Sequence, residues 1–109
     1  MVVEIVLDFE TLSRVNIKKA GARRYAEDPS TDVICLSYAI GNAEPKTWAP
    51  HMGRDIPRDL AIAIANGFRM VAHAALFEQS IWELVMVARY GWPAVPAEQW
   101  DDNQAMAEQ

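Results

Sequence analysis

The chain has one cysteine in 109 residues, Cys35, so no internal disulfide can form and an intracellular setting is expected. Cys35 lies between Ile34 and Leu36 and reads as a small buried apolar residue rather than a nucleophile. Histidine is scarce as well: His51 sits in a loop-like stretch with no second ligand near it in sequence. No apolar run reaches the ~18 residues of a membrane span, so no membrane partner is expected. Glu4 and Asp8 interrupt the first apolar run, which argues against a signal peptide. Repeats and low-complexity tracts are missing. Positive charge is not in excess either. A net charge of -5 excludes a basic coat for nucleic acid, although an acidic chain can hold nucleic acid where metal ions offset local charge. What remains is one small domain, or part of one, whose 51% apolar content suffices for a core.

Within that frame the most informative residues are Asp8 and Glu10. They close the apolar run Val2-Val3-Glu4-Ile5-Val6-Leu7. Strand side chains alternate faces, so positions two apart point the same way, and Phe9 between them packs behind. Two carboxylates side by side repel and lose hydration. A divalent cation removes that cost, and an oxygen-rich donor set suits magnesium or manganese.

The rest of the pattern predicts an α/β domain. Residues 2–9 read as a buried strand, 12–31 as an irregular basic connection with a short helix near Ala22 to Glu27, and 32–41 as a second strand. A short third strand spans 45–49 after the Gly41-Asn42 turn signal. A helix follows from about Pro57 to Ala65, with Asp55 as a possible cap and Asn66-Gly67 as its stop. Residues 69–73 form a fourth strand. A longer helix runs from about Phe77 to Tyr90, with Phe77, Ile81, Leu84, Val85 and Ala88 facing the core. Trp82 and Met86 fall off that stripe, which predicts a second apolar helix face that seeks a partner, self-association included. Trp100-Asp101 reads as a fifth short strand, with Asp102 capping a helix from Asn103. The three opening strands should be antiparallel and the fourth, after a helical crossover, parallel to its neighbour.

These residues resemble the proofreading 3′–5′ exonuclease domain of phage and bacterial polymerase I-like DNA polymerases, one of the DEDD exonucleases with a ribonuclease H-like fold. Asp8-Phe9-Glu10-Thr11 matches the first exonuclease motif, and Ala74-Ala75-Leu76-Phe77-Glu78 is the stretch that matches the second. Gly21-Ala22-Arg23-Arg24-Tyr25-Ala26-Glu27-Asp28-Pro29-Ser30-Thr31 and Trp100-Asp101-Asp102 also look like the phage version. The likeness covers residues 1–109 but only about the first two-thirds of such a domain. A fragment, completed by the polymerase remainder or by another partner, is therefore expected.

The resemblance implies a ribonuclease H-like mixed sheet and a metal-dependent exonuclease acting on single-stranded DNA 3′ ends. It implies Asp8, Glu10 and Glu78 as catalytic and metal-ligating carboxylates for Mg2+ or Mn2+. It also implies nucleic-acid contacts from Phe9, Thr11, Leu12, His73, Phe77, Arg23 and Arg24. Lys18 and Lys19 could join the last two on phosphates, where a solvated polar face is the ordinary alternative. Three departures lower the expected activity. Ala74 stands where the motif opens with asparagine, Glu78 replaces the usual aspartate, and the third motif with its fourth acid is missing, Glu108 lying too early to supply it. At most one weakly bound metal and little or no turnover are expected of these residues alone. Two alternatives stand beside this reading. One is a non-catalytic nucleic-acid or protein-interaction module on the same fold; the other is a different ribonuclease H-like enzyme, such as an RNA exonuclease or a resolvase.

Overall fold

The computed structural model describes residues 3–101. The expected cap at Asp102, the helix from Asn103 and the position of Glu108 lie outside the described residues.

Strand β1 runs over Glu4–Leu12, longer than the sequence suggested, because Thr11 and Leu12 continue the extended chain past the carboxylates. Its burial alternates strictly through Glu10: Ile5, Leu7 and Phe9 are buried, while Glu4, Val6, Asp8 and Glu10 are exposed. Asp8 and Glu10 therefore share a face, as the two-residue spacing requires. Strand β2, Asp32–Ile40, pairs antiparallel with β1, Asp8 lying opposite Ser37 and Phe9 opposite Leu36. The register shifts between Glu10 and Thr11, a bulge-type irregularity immediately beyond the second carboxylate. Strand β3, Lys46–Trp48, adds antiparallel to β2. Strand β4, Arg69–Val71, arrives by a helical crossover and pairs parallel to β1, giving the order β3-β2-β1-β4. Trp100 makes one parallel bridge to Met70, so the expected fifth strand is a single pairing.

Between β1 and β2 the chain forms two short helices, α1 (Ile17–Ala20) and α2 (Ala22–Glu27). The first was not expected; it is a single turn that Asn16 caps by accepting the Lys18 N–H. Helix α3, Arg58–Ala65, lies in the crossover. Asp55 does not cap it. Its N-cap position is Pro57, and Asp59, in the first turn, instead accepts bonds from Tyr38 and Lys46, tying the helix to β2 and β3.

The last long helix differs most from expectation. It begins as α4, Ala75–Ile81, widens into a π-helical segment at Trp82–Val87, and ends as α5, Ala88–Tyr90, before Gly91 in a left-handed conformation. A π turn advances the phase of the side chains relative to a 3.6-residue repeat. As a result Ile81, Trp82, Val85 and Met86 are all fully buried, whereas Ala88 is exposed. The second apolar face assigned to Trp82 and Met86 is thus inside the protein's own core, and it offers no surface for self-association. Trp82 donates its indole N–H to the Pro93 carbonyl and packs edge-on against Trp92.

All of these buried side chains belong to one hydrophobic cluster with Ile5, Leu7 and Phe9 on one sheet face. The other face, with Val6, Asp8 and Glu10 on β1, is open among the described residues.

Candidate functional site

Alternation along β1 fixes where its backbone points. Glu4 accepts from Gly41 on the β2 side, and Val3 accepts from Arg69 on the β4 side. Two-residue periodicity then turns the Phe9 N–H toward β4. The parallel ladder with β4 ends at Val6 opposite Val71, so Phe9 has no strand to donate to. A buried donor without a partner is costly. Glu78 meets that need. It stands in the first turn of α4, is 3% exposed, and accepts the Phe9 N–H with both carboxylate oxygens, each at 3.2 Å.

This position carries Glu78 to the same end of β1 as Asp8 and Glu10. Burial raises the Glu78 carboxyl from its ordinary 4.5 to about 8; the Phe9 N–H opposes the rise, while the neighbouring Asp8 and Glu10 carboxylates add to it. Of these influences that of Glu10 is the weakest. The donor chemistry of the three carboxyls fits a hard divalent cation. They do not form a closed cage: among the described residues no three His, Cys, Asp or Glu side chains stand ready to hold a metal.

The other expected site residues are placed differently from one another. Thr11 lies beside the carboxylates and its hydroxyl bonds the Tyr25 hydroxyl at 2.8 Å. Phe77 is half-buried against the Tyr25 ring, 5.9 Å between centroids, so these two helices wall one side of the strand end. Leu12 is 57% exposed and His73 is exposed at the β4–α4 junction. Phe9, by contrast, has its ring in the core against Trp82, 6.3 Å between centroids, and cannot stack on a base; only its N–H faces the site, and Glu78 takes that. Arg23 is drawn into an ion pair with Glu83 at 3.2 Å, whereas Arg24 is exposed and unpaired with any carboxylate among the described residues.

Sequence reasoning missed the buttress behind Leu12. Ser13, Ser30 and Thr31 share a hydroxyl network, Asp28 accepts both the N–H and the hydroxyl of Ser30, and Arg89 reaches across to the Thr31 and Asp28 carbonyls at 2.6 and 2.8 Å. The only advance signal was Asp28-Pro29-Ser30 as a turn. The network borders an open cleft of about 570 Å³ lined by Leu12, Ser13, Arg14, Pro29 and Ser30.

Comparison with protein-family models, with curated proteins and with solved structures finds no match to this chain.

Proposed function

We propose that the end of β1 is the metal site of a ribonuclease H-like 3′–5′ exonuclease domain acting on single-stranded DNA, of the kind that proofreads for a phage-type DNA polymerase. One observation carries the reading. Asp8 and Glu10 on β1 and the sequence-distant Glu78 stand at one strand end, and burial, with the two neighbouring carboxylates adding to it, drives Glu78 toward its neutral form. A bare cluster of this kind is a liability to the fold, and a cation relieves it.

In this reading Asp8 and Glu78 are the first ligands of Mg2+ or Mn2+, and Glu10 completes the set from the open sheet face. A bound divalent ion supplies Lewis acidity, activating a water and offsetting charge on the terminal phosphodiester. Hydrolysis forms a bond from that water to phosphorus and breaks the bond to the 3′ oxygen of the preceding nucleotide. Thr11, Leu12 and Phe77 border the place where the last nucleotide would lie. Ala74 has only a methyl where the motif has an amide, so it contributes no polar contact. The fourth acid of the family is not among the described residues, and weak turnover by these 109 residues is the consequence.

The test is binding of a fluorescent single-stranded oligonucleotide with a free 3′ hydroxyl, with manganese or with chelator. Manganese should tighten binding, and Asp8→Asn should abolish the gain. Equal affinity under both conditions would contradict the metal site.

A second reading is favoured by one specific feature. Both oxygens of Glu78 are committed to the Phe9 N–H, and no ready cage exists among the described residues. A non-catalytic binding module on this fold would keep Glu78 for structure alone. Oligonucleotide affinity indifferent to manganese would select that reading.

A further inference from the structure

Charge is unevenly placed along this acidic chain. Arg14, Lys18, Lys19, Arg23 and Arg24 are half of its ten Lys and Arg residues, and no acid occurs between Glu10 and Glu27. All five are exposed, on α1, α2 and the approach to them. Glu83 neutralises Arg23, but Arg14, Lys18, Lys19 and Arg24 form no ion pair among the described residues. Like charges held this close repel, and they are tolerated because water or a polyanion screens them.

Two open clefts abut this cluster. One, about 570 Å³, has Arg14 beside Leu12 and Pro29. The other, about 410 Å³, has Arg24 beside Val15, Ala20 and Pro29, and Glu27 and Asp28 line it too. One Asp28 oxygen accepts the Ser30 N–H and hydroxyl, and its charge is shared with Arg14 and Arg89, so Lys18, Lys19 and Arg24 carry most of the unopposed charge. Each cleft thus sets a cation next to apolar surface. The first begins at Leu12, the last residue of β1, two residues beyond Glu10.

We infer that the α1–α2 lobe is a docking ledge for single-stranded nucleic acid, with Arg14, Lys18, Lys19 and Arg24 on successive phosphates and the two clefts receiving unpaired bases. A duplex hides its bases and would leave the apolar floors unused, whereas a single strand presents phosphates and base faces together. A lipid surface fits less well: α1 has four residues and no buried face, too short to lay an apolar stripe on a bilayer. The inference rests on the single-strand reading above but not on the metal site, and it is therefore measured without metal.

The experiment is fluorescence anisotropy of a single-stranded oligonucleotide in chelator across a salt series, comparing the 109-residue protein with Lys18→Ala/Lys19→Ala/Arg24→Ala. Each phosphate contact on a single strand contributes about 0.7 to the salt slope, so the triple variant should lower it by ~2 and weaken binding at least ~10-fold at low salt. Arg58→Ala, an exposed cation on α3, serves as the control and should bind within about twofold of the parent. The inference is overturned by a triple variant with unchanged slope, by Arg58→Ala losing as much, by equal or tighter binding of duplex, or by stronger binding to anionic lipid vesicles. Loss of the manganese effect in Asp8→Asn, with the ledge intact in chelator, would concern the metal site alone.

Discussion

Glu78 accepts the backbone N–H of Phe9 with both carboxylate oxygens, at 3.2 Å each, across 69 residues of sequence. One side chain thereby closes the open edge of β1 and becomes the third member of the carboxyl cluster. Its structural and its proposed chemical roles can be separated, because one needs only an acceptor and the other needs a charge.

Glu78→Gln keeps an acceptor for Phe9 and removes the ionisation. In the parent the folded-state value, about 8, lies above the ordinary 4.5, so the native state holds the proton more tightly than the unfolded chain. Stability should therefore be full below about pH 4.5 and fall as pH rises toward 8, by a few kcal/mol without metal. Urea midpoints at pH 5 and pH 8.5 check this. The parent should weaken at the higher pH and Glu78→Gln should not; a parent that gains stability over that range would contradict the assignment.

Glu78→Ala leaves the Phe9 N–H without an acceptor. A loss of about 1–3 kcal/mol relative to Glu78→Gln is expected at pH 5, where charge is not the issue. Denaturant unfolding of the two variants side by side measures it.

Helix α4 starts at an N-cap, Ala74, that makes no side-chain cap bond. Ala74→Asn supplies an acceptor for the free N–H groups of the first turn. It should raise stability by about 1 kcal/mol, seen as a higher Tm.

Arg89 binds the Thr31 and Asp28 carbonyls with two guanidinium nitrogens. Arg89→Lys cannot span both with one ammonium, so it should be nearly as destabilising as Arg89→Ala, each by about 1–3 kcal/mol. Full rescue by lysine in a thermal melt would show that only the charge matters.

How much of this was legible beforehand follows from the range of the interactions. The two-residue alternation of Ile5, Leu7 and Phe9 against Asp8 and Glu10 is local, and it announced both the strand and the carboxylate face. The helical crossover between Trp48 and Arg69 likewise announced a parallel β4. The π turn was not legible, since a stripe drawn at 3.6 residues assumes the regular helix that Trp82–Val87 abandons. Trp82 and Met86 were accordingly assigned to a second face in want of a partner, whereas both lie in the protein's own core. The arrival of Glu78 at the carboxylate end of β1 was suggested by motif resemblance, but its cause, an orphaned N–H where β4 ends too soon, exists only in three dimensions. The same holds for Arg23, whose neutralising Glu83 is 60 residues away.

The most direct measurement is calorimetric titration of manganese into the parent, Asp8→Asn and Glu78→Gln at pH 6 and pH 8.5. The parent should bind one ion, more tightly at pH 8.5 because Glu78 must give up its proton to the buffer on binding, and both variants should lose most of that affinity. Parent and variants that bind manganese alike, or not at all, would show that these carboxyls meet for the sake of the strand edge alone.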